Sequence, residues 1–81
     1  MHRNPLHELA GIVRANLDPA DARRVLSRID LPRRGDVSVP RERLQRELAR
    51  VIDLVAVFEP DAVSDVRDEF GEAFGPLLQA V

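Results

Sequence analysis

The chain has 81 residues, with 12 arginines, no lysine, 14 acidic residues and no cysteine, tryptophan or tyrosine. The lack of cysteine excludes disulfides, cysteine-based zinc sites and thiol nucleophiles. No apolar run reaches the length of about 18 residues that a membrane-spanning helix needs, and the polar N-terminus has no signal-peptide pattern. We therefore expect one domain over residues 1–81, located in the cytoplasm and without membrane contact.

The first half of the chain predicts two helices. Asn4-Pro5 places a capping acceptor before a proline at the first helical position, and Asp18-Pro19 does the same. Leu31-Pro32 is expected to end the second helix, because the residue before a proline avoids helical geometry. Residues 31–39 would then form a loop. Apolar residues follow both starts at helical spacing, namely Leu6, Leu9, Ala10, Val13 and Leu17, then Ala22, Val25, Leu26 and Ile29.

The second half predicts a long helix and an interrupted one. Pro40 is expected to open the third helix, capped by Ser38 or Val39, and about 19 residues would span roughly 28 Å. Glu59-Pro60 marks the start of the fourth helix, which Gly71 and Gly75-Pro76 should kink or break near its end. The apolar positions are Leu44, Leu48, Val51, Val55 and Phe58, then Val63, Val66, Phe70, Phe74, Leu77 and Val81. The predicted fold class is all-α, with four main helices arranged as two stacked hairpins and the third helix central.

An internal repeat supports the two-hairpin arrangement. A shift of 41 residues overlays Leu17-Asp18-Pro19 on Phe58-Glu59-Pro60 and matches several apolar positions on either side. The repeat would cover residues 6–31 and 47–72. Each unit is a helix hairpin that cannot bury its apolar face alone, so the two units are expected to pack face to face. Duplication and chance similarity of two helix-proline-helix units both remain open as its origin.

Residues 60–71, followed by Phe74 and Leu77, resemble the end of a helical family of unknown function that is common in actinobacteria. The stretch from Pro19 to Pro32 is similar to the first of that family's paired helix-proline-helix units. This chain is shorter and lacks the helix that usually separates the two units. The resemblance implies an all-helical fold and no activity.

The sequence lacks recognisable catalytic equipment. His2 and His7 are five residues apart, so they lie on different helix faces, which does not suit paired metal ligands. No serine has a histidine at motif spacing, and the four glycines are isolated, which excludes a phosphate-binding loop. We expect no enzyme activity, no catalytic residue, no cofactor, no metal and no small-molecule substrate.

Charge is distributed unevenly along the chain. Residues 1–50 hold 11 arginines and 7 acids, a net charge of +4, whereas residues 51–81 hold one arginine and 7 acids, a net charge of −6. We predict a basic face formed by Arg23, Arg24, Arg28, Arg33, Arg34 and Arg41. We predict an acidic face on the last helix formed by Asp61, Asp65, Asp68, Glu69 and Glu72.

Three interpretations of this asymmetry compete. The two faces could bind a protein partner or a second copy of the chain, the basic face could contact phosphates, or the asymmetry could be ordinary surface variation balanced by internal ion pairs. Nucleic-acid binding is disfavoured by the lack of lysine and of stacking aromatics. The long loop also departs from helix-turn-helix geometry.

The third helix carries apolar residues outside its main stripe, which predicts either a central position or an apolar seam for a partner at Ile52, Leu54 and Val57. The sequence therefore favours a small interaction module that acts as an adaptor, docking domain or regulator, with a homodimer expected. The alternative is a nucleic-acid-associated regulator that uses Arg23, Arg24, Arg28, Arg33 and Arg34.

Overall fold

The computed structural model describes residues 5–29 and 40–78, with side chains as far as residue 75. The elements are α1 (Pro5–Asn16), α2 (Pro19–Leu26), α3 (Arg41–Phe58), a 3-10 turn (Pro60–Ala62) and α4 (Val63–Leu78). These ranges contain no β-strand, which confirms the all-α prediction. The cap expected at Asn4 and the loop expected over 31–39 lie outside the described residues.

The four helices pack as two stacked hairpins, as the sequence predicts. Within the hairpins α1 packs on α2 and α3 packs on α4, and between the hairpins α1 packs on α4 and α2 on α3. Helices α1 and α3 also touch, so α2 and α4 occupy opposite sides of the bundle. Helices α1 and α3 each contact all three other helices, so these contacts do not single out α3 as the central helix that the sequence predicts.

One apolar cluster forms the core, and no buried polar or charged residue is found in the described ranges. On α3 the buried residues recur every three or four positions, which aligns them on one side of the helix. Predicted apolar positions from all four helices supply most of the cluster, to which the structure adds Ala62, whereas the predicted Phe58 and Val63 are only partly buried against it. The buried residues are Leu6, Leu9, Ala10, Val13, Leu17, Ala22, Val25, Leu26, Ile29, Leu44, Leu48, Val51, Val55, Ala62, Val66, Phe70 and Phe74.

Three helix boundaries differ from the sequence prediction. Helix α4 begins at Val63 and not at Pro60, because Pro60–Ala62 form a 3-10 turn. Helix α2 ends at Leu26, five residues before the predicted end at Leu31. The N–H groups of Arg28 and Ile29 donate to the carbonyls three residues before them, so the chain continues as a 3-10-like turn. Pro40 is the residue before α3 and not its first helical residue, since its ψ of 143° is not helical, although its carbonyl already accepts the N–H of Leu44 at 3.0 Å. The cap expected at Ser38 or Val39 is therefore wrong.

Helix α4 runs as one element past the predicted interruption. Gly71, Gly75 and Pro76 all lie inside it and do not divide it into two helices. Pro76 removes one backbone donor, but only two helical residues follow it, so the loss affects the last turn alone. None of the described helices is both long enough and apolar enough to cross a membrane.

The absence of contacts around Gly71 gives a first prediction. A β-carbon added there would meet no atom within 4 Å, and the same holds at Gly11 in α1. Gly71→Ala should therefore raise the free energy of unfolding by about 0.5–1 kcal/mol, since alanine is the better helix former. Urea unfolding of the variant, with Gly11→Ala as the matched comparison, measures this. If Gly71→Ala instead lowered the free energy of unfolding, the finding that a β-carbon at Gly71 meets no other atom would be contradicted.

Two valines on one helix test the core directly. Val55 is fully buried in α3, whereas Val57, two residues later, is 73% exposed. Val55→Ala should lower the free energy of unfolding by about 2 kcal/mol through lost burial and a residual cavity. Val57→Ala should cost nothing, because the exposed side chain loses little burial. Both variants share the same gain in helix propensity, so the difference between them reports burial alone. Equal losses in thermal or urea unfolding would show that the assigned face of α3 is wrong.

Candidate functional site

The arginines predicted to form one basic face point in different directions. The Arg24 guanidinium donates to the Asp21 carboxylate at 2.9 Å. Arg28 donates to the Arg24 carbonyl at 2.8 Å, and its guanidinium lies 4.9 Å from the centre of the Phe58 ring, where a cation–π contact forms. Both side chains are therefore engaged within the bundle.

Two of the other four predicted basic residues, Arg23 and Arg41, lie in the described ranges, on different helices. Arg23 lies on the opposite flank of α2 from Arg28 and lines an open groove. Arg41 is exposed at the first position of α3. Arg33 and Arg34 lie outside the described residues. Among the described members of the set, Arg23 and Arg41 lie on different helices, and Arg24 and Arg28 are held by contacts within the bundle.

The groove lies between α1 and α2 and has a volume of about 680 Å³. Its floor is apolar, and its charged atoms belong to two arginines, Arg14 from α1 and Arg23 from α2, which form no ion pair with a described residue. The full lining is Arg14, Pro19, Ala22, Arg23, Leu26 and Ser27. The sequence analysis did not place Arg14 at a site, although its position one turn before the Asp18-Pro19 junction indicates that it lies beside the start of α2.

Local sequence explains why a groove forms here. Ala22 is small and nearly fully buried, so α2 has no large side chain at the point where it meets α1. Pro19 fixes the first turn of α2 directly after the junction. Arg14 and Arg23 are both exposed, and their long side chains border the apolar floor.

Helix α4 and the turn before it form an acidic ridge on the other side of the bundle. Four of the five predicted acidic residues share this ridge, since spacings of four, three and four residues place them on one helix face, opposite the buried Val66, Phe70 and Phe74. The ridge consists of Asp61, Asp65, Asp68 and Glu72, all exposed. No hydrogen bond or ion pair joins these carboxylates to another described side chain.

Glu69 does not belong to the ridge. It lies on the flank of α4 that faces α1, where its carboxylate accepts the Asn16 amide at 2.6 Å. The same amide donates to the carbonyl of Ile12 at 2.8 Å, so Asn16 links the end of α1 to the middle of α4. The role of Glu69 is therefore internal.

The predicted apolar seam on α3 is not a continuous stripe. Ile52 and Leu54 are partly buried against the core. Ile52 also borders a smaller groove of about 170 Å³ between α3 and α4, together with Arg67 and Phe70. Val57 alone points outward. The three residues therefore have separate surroundings.

The structure adds an acidic junction that the sequence analysis did not identify. The carboxylates of Asp18, Asp21 and Glu59 lie within 4.8 Å of one another. Glu59 accepts the backbone N–H of Asp18 at 3.1 Å, which links the two hairpins at the points where each one turns. Asp18 and Glu59 are equivalent positions in the 41-residue overlay, so the repeat was the signal that could have indicated this contact.

The hydrogen bonds, desolvation and neighbouring charges around Glu59 shift its pKa. The hydrogen bond from the Asp18 backbone lowers the pKa of Glu59, but the hydrogen bond to the Asp21 carboxyl, desolvation and the two neighbouring negative charges outweigh it, and the pKa is raised above its ordinary value. Clustered carboxylates also match the oxygen ligands that Ca²⁺ and Mg²⁺ prefer. Asp21 is already paired with Arg24, however, and nothing else in the cluster points to a metal ion.

Comparisons with protein-family models, with curated proteins and with solved structures found no match to this chain. Function is therefore argued from the groove, the ridge and the junction.

The acidic junction predicts the effect of Glu59→Gln. Because the pKa of Glu59 is raised in the folded protein, folding takes up protons between the unfolded and folded pKa values, so the ionised carboxylate costs stability at neutral pH. The glutamine oxygen still accepts the Asp18 N–H while the charge is lost. Glu59→Gln should therefore increase thermal stability at pH 7.

The pH dependence and a control sharpen this expectation. The advantage of Glu59→Gln should be largest above the raised pKa and disappear as pH falls below the unfolded value of about 4.3, where the native carboxyl is protonated as well. Thermal unfolding at several pH values measures it. Glu42→Gln, at an exposed carboxylate away from the junction, is the control. A loss of stability on Glu59→Gln at neutral pH would contradict the proposed repulsion.

Proposed function

We propose that this protein is a small helical interaction module, and that the groove between α1 and α2 binds the acidic, apolar face of a helical partner segment. The observation that supports this most strongly is the pair Arg14 and Arg23 beside an apolar floor. Neither guanidinium has an ion-pair partner in the described residues, so both are available to a ligand.

The chemistry of the groove selects the partner. An amphipathic helix inserts apolar side chains at spacings of three and four residues, which fits an apolar floor formed by Pro19, Ala22 and Leu26. Carboxylates beside those apolar residues would then meet the two arginines. Arginine binds carboxylates through two parallel hydrogen bonds, so it adds orientation as well as attraction.

Nucleic-acid binding through the predicted basic face has less support. Arg24 is paired with Asp21, and Arg28 is held by the Arg24 carbonyl and the Phe58 ring. Phosphate contact by these two side chains would have to disrupt contacts made within the bundle. We therefore treat binding to nucleic acid as an outcome of the experiment below.

A labelled peptide tests the proposal. The probe is a synthetic helix with leucines on one face and glutamates on either side of them, and fluorescence anisotropy measures its binding to the full chain. Arg14→Gln combined with Arg23→Gln should weaken binding about tenfold, because each lost ion pair at the edge of an interface is worth about 0.5–1 kcal/mol.

Matched controls separate groove binding from general attraction. Arg46→Gln combined with Arg50→Gln removes the same charge from exposed positions on α3 and should leave the affinity unchanged. A peptide with lysine in place of glutamate should not bind. Equal binding of both peptides, or no effect of the groove variant, would contradict the proposal. Salt-sensitive binding of a DNA duplex that depends on Arg14 and Arg23 would favour the nucleic-acid alternative.

A further inference from the structure

We infer that Ser27 is a phosphorylation site, and that a phosphate on its hydroxyl blocks the groove between α1 and α2 for acidic partners. The inference rests on the proposed function and adds a means of regulating it. Ser27 is exposed and lines the groove together with Arg14 and Arg23. A modification of this hydroxyl therefore changes the charge of the surface that we assign to the partner.

The sequence around Ser27 is strongly basic. Arg24 precedes the serine by three residues, Arg23 precedes it by four, and Arg28 follows it directly. Protein kinases discriminate between substrates partly by the charges beside the acceptor residue. This pattern suits a kinase that selects arginine on the N-terminal side of the serine.

The other hydroxyl groups of the chain lack this pattern. The chain has no threonine and no tyrosine, and it has two further serines. The residue three positions before Ser38 is Gly35, and the residue three positions before Ser64 is Asp61. Ser27 is thus the one serine of the sequence with an arginine at this distance, and it is also the serine that lines the groove.

The end of α2 makes the hydroxyl accessible to a kinase. Ser27 directly follows the last residue of α2, where the chain continues as a 3-10-like turn. Its hydroxyl donates to the carbonyl of Arg24 at 2.9 Å. Helix ends open locally at small cost in free energy. Opening of this turn releases the hydroxyl from the carbonyl, so that it can enter a catalytic cleft.

The reaction is a phosphoryl transfer from ATP. The Ser27 oxygen attacks the γ-phosphorus, the bond from that phosphorus to the bridging oxygen breaks, ADP leaves, and the hydroxyl proton is released. The product carries a charge of about −1.5 to −2 at pH 7 and three strong acceptor oxygens. A neutral group of the groove lining thereby becomes an anion.

The two groove arginines would bind this phosphate. Arg23 lies four residues before Ser27, and residues at this spacing are neighbours on one helix face. Neither Arg14 nor Arg23 has an ion-pair partner in the described residues. Arginine binds phosphate and carboxylate alike through paired hydrogen bonds. The carbonyl end of a helix disfavours an anion, but here the arginines supply compensating charge. The phosphate thus takes the cations that an acidic partner needs.

Phosphorylation in vitro tests the site. The full chain is incubated with MgATP and a purified serine kinase that selects arginine three residues before the acceptor, and tandem mass spectrometry locates the phosphate. We expect modification of Ser27 and not of Ser64, an exposed serine that serves as the control. Ser27→Ala and Arg24→Gln should each abolish it. No incorporation at Ser27, or equal incorporation at Ser64, would overturn the assignment.

A chain assembled by chemical ligation with phosphoserine at position 27 tests the effect on the groove. Fluorescence anisotropy with the leucine–glutamate peptide should show binding weakened about tenfold, because the peptide loses its two arginine contacts. Phosphoserine at position 64 adds the same charge on α4, away from the groove, and should leave the affinity unchanged. If phosphoserine at position 27 also leaves it unchanged, the inference fails and the proposed function stands.

Phosphorus NMR distinguishes ion pairing from simple loosening of α2. The second pKa of phosphoserine is about 6, and nearby guanidiniums lower it because they stabilise the doubly charged form. The pKa of the phosphate at position 27 should therefore be lowered, and Arg14→Gln combined with Arg23→Gln should restore it. An unshifted pKa would overturn the pairing. If the pKa is lowered but the peptide binds neither form of the chain, the proposed function fails and the modification site stands.

Discussion

One shared apolar core determines the rest of this structure, because neither hairpin can bury its own stripe alone. Helix α2 shows the dependence most clearly. It has only eight residues, and isolated helices shorter than about 12 residues are marginal in water. Its position is therefore set by burial of Val25 and Leu26 against the other helices. The groove beside Arg23 exists because that burial holds α2 against α1 at a point where Ala22 leaves space.

The core and the start of α2 at Pro19 were readable from the sequence because both depend on local spacing. The apolar positions around Asp18-Pro19 and Glu59-Pro60 identified the buried residues and the two hairpins. The grouping of arginines was not readable in the same way. Arg23, Arg24 and Arg28 are neighbours in sequence, but successive helical residues turn by about 100°. One of them therefore faces α1, one pairs with Asp21, and one lies over Phe58.

The acidic junction shows a second limit of reasoning along the chain. Asp18 and Glu59 each precede a proline that starts a helical segment, so the overlay correctly treats them as equivalent positions. Equivalence does not imply contact, and only the stacking of the hairpins brings the two turns together. The hydrogen bond from the Asp18 backbone partly offsets the repulsion among the three carboxylates. The junction therefore links the two hairpins through one hydrogen bond and also brings negatively charged carboxylates close together.

Contacts within the bundle engage part of the unevenly distributed charge. Arg24 and Arg28 make contacts within the bundle, and Glu69 is bound to Asn16, so these charges stabilise the monomer. The arginines of the groove and the carboxylates of the ridge make no such contact with described side chains. They also lie on different sides of the bundle, because the core requires α2 and α4 to pack on the same two helices. The constraint that builds the fold thus also separates the basic groove from the acidic ridge.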